Sequence, residues 1–228
     1  MCTAPRVEDL DLTDIDIVSV DLETYDPELK KKGSGAVRGI GKVCGIGVCT
    51  GKQTCYFPIR HESSDNLDIK ETWDLLNERL FQNPKIKKVF HNAMYDVCWI
   101  RAETGLMPKG ELLDTMIAAS VIDENRVRYT LDSISKDYLT ESKYKYDLQA
   151  RSLKEFGIKD PLNSMHKLPY SLVKDYAEQD VKLTLKLWHV FEPKLKETIF
   201  VNPEGEKKTL QKIFQLETEL FPLSLIHI

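Results

Sequence analysis

The chain has 228 residues, of which 42% are hydrophobic and 30% are charged, and its formal net charge is −4. Its length fits one domain with a short appendage, and its composition is globular rather than disordered, collagen-like or coiled-coil. No apolar run could span a bilayer and no leader-like segment starts the chain, so we expect no membrane partner and a cytoplasmic location. The charge excludes a globally basic nucleic-acid binder, but not an enzyme that meets phosphate through metal ions and a local basic patch.

The cysteines indicate a reduced, cytosolic type of protein. No two of them form a CxxC pair, and their number is odd: they are Cys2, Cys44, Cys49, Cys55 and Cys98. We therefore predict buried free thiols rather than a disulfide framework or a zinc site.

The first part of the chain is dominated by strand-like segments. Residues 1–14 are acidic and lack periodicity, which predicts a mobile arm. Residues 15–21 (IDIVSVD) predict a first strand, and residues 43–49 and 53–59 predict two strands joined as a hairpin. Between the first strand and the hairpin, residues 30–42 (KKKGSGAVRGIGK) form a basic loop with four glycines.

The remainder of the chain is mostly helical in pattern. One strand is predicted over residues 86–90. Helices are predicted over residues 68–82, from 91–92 to about 103, 115–122, roughly 170–200 and about 208–220. From residue 128 onward every segment is predicted as helix or turn. Strands first, then one strand–helix unit, then helices indicate an α/β fold, in which helices flank a mixed β-sheet and the C-terminal half is helix-rich.

Three pairs of polar residues carry the candidate chemistry. The first pair is Asp21 and Glu23 in VSVDLET. Side chains two apart on a strand share a face, and two carboxylates aimed together stay ionised only if a cation lies between them. A divalent metal site is one interpretation of this pair, and a solvated strand end is the other.

The second and third pairs each have a spacing of four. Asn92 and Asp96 (FHNAMYD) share a helix face just after a strand, where helix capping is the structural alternative. Tyr176 and Asp180 (DYAEQDVKLTLKL) share a face of a late helix, where the alternative is a surface tyrosine beside a solvated aspartate. Neither pair is specific when it is taken alone.

Together, in this order and context, the three pairs resemble the motifs of the DnaQ-like, DEDD superfamily of 3′–5′ exonucleases, in its tyrosine subclass. LLDTMIAAS, TLDSISKDYL and QLETELFP are similar to segments of family A DNA polymerases, and the long glycine-rich loop is similar to that of bacteriophage members. The resemblance covers residues 15–222. It implies a ribonuclease H-like fold, an exonuclease domain over 15–200, and over 201–222 the start of a linker helix towards a polymerase domain.

The end of the chain has an unusual sequence. Its last six residues, LSLIHI, match a forward translation of the transposase end sequence used as a sequencing-library adapter. We therefore predict that residues 223–228 are an assembly scar and that the chain is the front of a longer protein.

The resemblance also implies a site. The implied metal ligands are Asp21, Glu23, Asp96 and Asp180. They would hold two divalent ions, Mg²⁺ or alternatively Mn²⁺, and Tyr176 would orient the attacking water. Contacts with the substrate are expected from Thr24, Asn92, Lys32 and Arg38. The last two belong to the basic loop, which is either a phosphate-binding element or a flexible solvated loop.

Other polar and aromatic residues are assigned structural roles. Asp114, at the start of a helix, is predicted to cap it or to support a ligand. A cluster of lysines is predicted to solvate the start of a strand: Lys85, Lys87 and Lys88. Three tryptophans on apolar helix faces are predicted to lie in the core: Trp73, Trp99 and Trp188.

Three functions remain open. The first is a monomeric 3′–5′ DNA exonuclease that releases nucleoside monophosphates from single-stranded 3′ ends, as the proofreading module of a phage-like polymerase in a bacterial or phage-infected cell. The second is a ribonuclease D-like exoribonuclease, which shares the five motif residues Asp21, Glu23, Asp96, Tyr176 and Asp180. The third is a catalytically silent fold that only binds nucleic acid or protein, which loss of the acidic residues would signal. All four acidic residues are present, and QLETELFP favours the first function.

Overall fold

The computed structural model of the protein describes residues 4–62, 66–140, 145–201 and 206–226. The strands in these ranges are β1 (Ile17–Tyr25), β2 (Lys42–Cys49), β3 (Thr54–Pro58), β4 (Lys87–Phe90), β5 (Leu112–Asp114), β6 (Thr198–Val201) and β7 (Lys207–Thr209). The α-helices are α1 (Leu29–Lys32), α2 (Gly35–Arg38), α3 (Ile69–Leu76), α4 (Ala93–Thr104), α5 (Thr115–Ile122), α6 (Leu131–Leu139), α7 (Lys145–Phe156), α8 (Tyr170–Lys196) and α9 (Gln211–Ile226). None of these described helices is long and apolar enough to cross a membrane.

Within the described ranges, five strands form one mixed sheet in the order β3-β2-β1-β4-β5. β2 pairs antiparallel with β3, as the predicted hairpin requires, and also with β1. β4 runs parallel to both β1 and β5. β1 is therefore the central strand, and the helix-flanked mixed sheet with a helix-rich C-terminal half is confirmed.

The polar residues of strand β1 face α8. They lie on one face of the sheet because side chains alternate between its two faces. The even-numbered residues of β1 from 18 to 22 pack in a buried apolar cluster with side chains of α3 and α4. On the opposite face, the Ser19 hydroxyl donates to the Val181 carbonyl of α8 at 2.6 Å. Asp21 and Glu23 follow Ser19 at intervals of two, so both carboxylates point towards α8.

Strand β1 also extends further than the sequence predicts. The prediction ends it at Asp21, whereas pairing with β2 continues to Tyr25. The register with β2 shifts between Glu23 and Thr24, because β2 has one extra residue there, Cys44, without a partner in β1. Asp21 and Glu23 are therefore held inside the sheet and not at a free strand end.

The N-terminal segment differs from the expected mobile arm over 1–14. Val7 and Leu10 are 3% and 1% exposed and belong to the cluster under α3 and α4. The Arg79 guanidinium donates to the carbonyl oxygens of both residues. Residues 4–14 are thus fixed to the domain by two apolar side chains and an arginine, while residues 1–3 lie outside the described part.

Most predictions for buried residues are confirmed in the part of the chain that is described. The buried free cysteines are Cys44, Cys49, Cys55 and Cys98, whereas Cys2 lies outside this part. The tryptophans in the core are Trp73, Trp99 and Trp188. The prediction of a solvated lysine cluster is wrong for Lys88, which is fully buried because β4 lies inside the sheet between β1 and β5.

Three short strands do not follow from the sequence pattern. β5 has three residues and is defined by its pairing with β4. β6 and β7 pair with each other after α8, in a region where only helix and turn are predicted. These three strands have only three or four residues each and carry almost no periodicity, so their pairing defines them. At the end of the chain, α9 continues through residue 226, and residues 227–228 are outside the described part.

Candidate active site

Helix α8 approaches β1 closely because β2 has a glycine at the crossing point. Gly47 lies opposite Asp21 in the ladder between β1 and β2. A Cβ atom at position 47 would lie 3.0 Å from Cγ1 of Val181 and 3.4 Å from the carbonyl oxygen of Ala177. The missing side chain therefore lets α8 lie against the sheet and bring Asp180 to the face that carries Asp21.

The result of this packing is a cluster of three carboxylates. Oxygen atoms of Asp21, Glu23 and Asp180 all lie within 4.8 Å of one another. Glu23 and Asp180 are buried and Asp21 is half-buried. Three anionic groups at this distance repel each other, and a cation between them removes the repulsion. Carboxylate oxygens are the donors that Mg²⁺ and Mn²⁺ prefer, so the residues present fit a divalent metal site.

Asp96 lies beside this cluster and not within it. It is buried in the first turn of α4, and its Oδ1 accepts a hydrogen bond from the N–H of Leu22 at 3.0 Å. Burial, and next the charge of Asp21, raise the pKa of the Asp96 carboxyl well above its ordinary value. Because Leu22 lies between Asp21 and Glu23, this bond attaches Asp96 to the strand that carries them. All four predicted acidic residues therefore converge.

Tyr176 lies one turn before Asp180 in α8 and is also buried. Burial, and then the charges of Asp180, Glu23 and Asp21, raise the pKa of its hydroxyl well above the ordinary value. The phenol is therefore neutral and can donate a hydrogen bond.

The junction between β4 and α4 is held by Asp114 at the end of the neighbouring strand. Its carboxylate caps α5 by accepting from the N–H of Met116 at 2.8 Å. It also accepts from the N–H groups of Asn92 at 3.0 Å and Ala93 at 2.8 Å. The predicted capping role of Asp114 is confirmed. Asn92 adopts a left-handed conformation with φ of 72° and its side chain makes no capping bond, so its amide group remains exposed.

An open groove with a volume of about 490 Å³ lies between the α1–α2 segment and the start of α4. Its walls include three of the predicted substrate contacts: Lys32, Arg38 and Asn92. The fourth, Thr24, shares a 2.7 Å hydrogen bond with the hydroxyl of Tyr95, which also lines the groove. Thr24 follows Glu23 in β1, so a residue that lines the groove contacts the strand that carries two of the clustered carboxylates.

The basic loop folds into two short helices, and two of its cations are paired. Glu28 accepts from Lys32 at 2.9 Å and from Arg38 at 2.6 Å. Asp26 accepts from the N–H of Gly35 at 2.8 Å. The segment is therefore folded in the structure, held by two acidic residues just before the lysines, and its contact with phosphate stays a prediction.

Two residues of this region were not identified from the sequence. The Tyr95 hydroxyl contacts Thr24 and lies 3.4 Å from Oδ2 of Asp26, so the two residues connect the α1–α2 segment to β1 and α4. Tyr95 could have been found from the sequence, because it directly precedes the motif residue Asp96. Asp26 could not, since an aspartate before a proline is typical of any turn.

A family model for the 3′–5′ exonuclease domain of family A DNA polymerases matches residues 10–196. The chain belongs to this exonuclease family. The matched range contains all five motif residues, and members of the family depend on divalent metal ions. The carboxylate cluster of this exonuclease domain fits that requirement.

Relatives of the exonuclease domain include a phage DNA polymerase and an exosome exonuclease. DNA polymerase DpoZ of Acinetobacter phage SH-Ab 15497 is 30% identical over 170 residues, which are 73% of this chain and 24% of the phage protein. The exosome complex exonuclease RRP6 of Saccharomyces cerevisiae is 38% identical over 82 residues, which are 35% of this chain and 11% of the yeast protein. The chain thus spans no more than 24% of the length of either relative.

Solved structures agree with the fold of the exonuclease domain. RNase D of Trypanosoma brucei in complex with GMP superposes with a TM-score of 0.64 at 16% identity, covering 92% of this chain and 58% of the other. At this identity the likeness concerns the fold alone. It confirms the ribonuclease H-like architecture that the sequence motifs imply.

Proposed function

We propose that this exonuclease domain removes nucleoside monophosphates from the 3′ end of DNA, as the proofreading module of a family A DNA polymerase. The observation that carries the proposal is the cluster of Asp21, Glu23 and Asp180, with oxygens within 4.8 Å. The match to a phage DNA polymerase over 73% of the chain supports DNA as the substrate. In this role the domain works as a monomer on a single-stranded end, beside a polymerase domain of the same chain, in a bacterial or phage-infected cytoplasm.

The acidic residues hold two divalent ions in this proposal, with Mg²⁺ as the cofactor and Mn²⁺ as its substitute. When bound, such ions stabilise the negative charge that builds on the attacking and leaving oxygens of a phosphodiester. Glu23 and Asp180 would hold one ion and Asp96 would support the other. Asp21 belongs to the cluster and its charge also acts on Asp96, and the resemblance to the exonuclease family implies that it would contribute to both ions.

Tyr176 positions the water that attacks the phosphorus. Its hydroxyl stays protonated because burial and three nearby carboxylates oppose ionisation. A neutral hydroxyl can hold a water molecule in one orientation. Orienting the reactants in advance removes a large part of the barrier to a reaction between two molecules. The buried phenol is thereby an orienting group and does not take the proton.

The unpaired strand reaches the cluster through the groove between α1–α2 and α4. Lys32 and Arg38 provide positive charge at one wall, and the Tyr95 ring provides a surface on which a base can stack. Thr24 would contact the terminal nucleotide, and the exposed Asn92 amide would contact the strand near the scissile bond.

A ribonuclease D-like exoribonuclease is the second candidate. The 38% identity to yeast RRP6 over 82 residues favours it. Both candidates use the same carboxylates and the same direction of hydrolysis. They differ in whether the groove accepts the 2′-hydroxyl of the terminal nucleotides, which is the group that distinguishes RNA from DNA.

A degradation assay with the full 228-residue chain tests the proposal. Single-stranded DNA and RNA of one sequence, labelled at the 5′ end, are incubated with Mg²⁺, Mn²⁺ or chelator. Asp21→Asn keeps the size of the side chain and removes its charge, and Asp16→Asn, at an exposed position just before β1, is the matched control. Losing a metal ligand removes several kcal/mol of stabilisation, so we expect Asp21→Asn to be at least about 100-fold slower.

A metal-dependent ladder that shortens DNA from its 3′ end, present in Asp16→Asn and lost in Asp21→Asn, supports the proofreading exonuclease. A ladder on RNA alone would replace it with the ribonuclease D-like candidate. Equal rates for Asp21→Asn and Asp16→Asn would contradict the role of the cluster.

A further inference from the structure

Tyr56 and His61 form a buried pair beside the carboxylate cluster that the proposed mechanism does not use. Tyr56 lies in β3, is fully buried and reaches across β2 at Gly45. A Cβ atom at position 45 would lie only 2.2 Å from the Tyr56 hydroxyl oxygen. Gly45 is the residue opposite Glu23 in the sheet. The hydroxyl therefore occupies the place of the side chain that would normally flank Glu23 on its neighbouring strand.

The Tyr56 hydroxyl is fixed in this place by His61. Its oxygen lies 2.7 Å from Nε2 of His61, and Nδ1 of the same ring lies 2.8 Å from the carbonyl oxygen of Leu168. Because a carbonyl only accepts, Nδ1 carries the proton, and Nε2 of the neutral ring accepts from the tyrosine. Burial lowers the pKa of His61, which keeps the ring neutral and preserves the direction of both bonds.

The same pair supports the start of α8. Leu168 precedes the first residue of this helix, Tyr170, by two positions. The ring of Tyr170 stacks on that of Tyr56, with centroids 6.0 Å apart and planes within 9° of parallel. A series of contacts thus connects the position beside Glu23 in β1 to the first turn of α8. Asp180 belongs to the same helix.

We propose that Tyr56 and His61 are positioning residues that set the distance between the carboxylates of β1 and the carboxylate of α8. The inference rests on the proposed metal site and adds to it the two side chains that hold its halves together. Tyr56 and His61 are 0% and 3% exposed, so neither side chain is open to the substrate. Groups that orient metal ligands from outside the ligand set are worth about 10- to 100-fold in metal affinity or activity.

The hydroxyl of Tyr56 can be tested without disturbing the core. Tyr56→Phe removes one oxygen and keeps the ring, its stacking on Tyr170 and its volume. Tyr129→Phe is the matched control, because it also removes a hydroxyl that donates one hydrogen bond, to the Asp123 carbonyl at 2.7 Å in the segment before α6. Both variants are made in the full chain.

Two readouts separate positioning from general stability. Calorimetric titration with MnCl₂, without nucleic acid, measures metal affinity directly. Kinetics on single-stranded DNA measure kcat and KM. We expect Tyr56→Phe to lose about 10- to 100-fold in Mn²⁺ affinity or in kcat, with KM unchanged. We also expect its thermal unfolding midpoint to match that of Tyr129→Phe, whose Mn²⁺ affinity should equal the wild-type value.

Variants of His61 provide an independent second test. His61→Gln keeps an acceptor for Tyr56 and should retain most of the metal affinity, whereas His61→Leu should lose as much as Tyr56→Phe. Equal Mn²⁺ affinities in Tyr56→Phe, His61→Leu and Tyr129→Phe would overturn the inference. Since calorimetry needs no turnover, an inactive wild-type chain would contradict the proposed function and still leave this comparison decisive.

Discussion

Lys88 is a fully buried lysine in the interior of the sheet. Its ammonium group donates to the carbonyl oxygens of Asn83 and Lys109, both at 2.6 Å. These bonds connect the turn before β4 with the segment before β5. Burial lowers the pKa of Lys88 to about 8, because the charged form loses its hydration.

This buried ammonium should make the domain more stable as the pH rises above about 8. Below that pH the lysine is charged in both states, so the desolvation penalty is fully present. Between about 8 and its ordinary value of 10.5 the unfolded chain binds a proton that the folded chain has lost, so the free energy of unfolding increases with pH. The whole shift is worth about 3 kcal/mol.

Urea unfolding of the wild-type chain and of Lys88→Met, at several pH values across this window, measures the effect. The methionine cannot titrate, so its free energy of unfolding should rise less steeply. The slopes are compared, because the substitution also removes two hydrogen bonds and changes the absolute stability. Parallel slopes would show that Lys88 keeps its ordinary pKa.

At the scale of elements, the contact between β2 and α8 at Gly47 determines where Asp180 lies. Gly47→Ala places a methyl group 3.0 Å from Cγ1 of Val181, so α8 must move by a few tenths of an ångström. Misplacing reacting groups by about 1 Å costs about 100-fold, so we expect this smaller shift to lower kcat about tenfold with KM unchanged.

A double variant identifies the cause of that loss. Gly47→Ala with Val181→Ala removes the clashing methyl groups and should regain most of kcat, while Val181→Ala alone is the control. Steady-state kinetics on single-stranded DNA compare the four proteins. If the double variant is no faster than Gly47→Ala, the glycine matters for a reason other than the approach of α8.

The parts of the fold and site that could be predicted are those that depend on local periodicity. Alternation in the first strand placed Asp21 and Glu23 on one face, and the spacing of four placed Tyr176 and Asp180 on one side of a helix. The helix over Thr115–Ile122 was also predicted with its bounds. Such patterns need only a few neighbouring residues, so they are visible in the sequence.

The parts that could not be predicted depend on residues far apart in the chain. The length of β1 is set by pairing with β2, and β5 exists only against β4. The bond from the Leu22 N–H to Asp96 spans 74 positions, and the one from Tyr56 to His61 requires a glycine on another strand. A local sequence pattern does not predict which strands become neighbours in the sheet.

At the scale of the whole molecule, the net charge of −4 requires nucleic acid to be bound by a local surface. The α1–α2 segment provides one, since Lys30 and Lys31 are exposed there beside the groove. The structure adds an opposing feature. Glu28 pairs with both Lys32 and Arg38, so two of the cations in this segment are partly neutralised before any phosphate arrives.

Removing the Glu28 charge should therefore strengthen binding of single-stranded DNA. Glu28→Gln releases Lys32 and Arg38, and each added phosphate contact steepens the slope of log K against log salt by about 0.7 for a single strand.

The double variant Lys30→Gln with Lys31→Gln should weaken binding and flatten the slope. Lys85→Gln, at an exposed position in the turn before β4, should leave both unchanged. Fluorescence anisotropy in chelator, over a range of NaCl concentrations, gives K without hydrolysis. If Glu28→Gln and the double lysine variant both keep the wild-type slope, the strand does not pass the α1–α2 segment, and the groove beside α4 loses its proposed role.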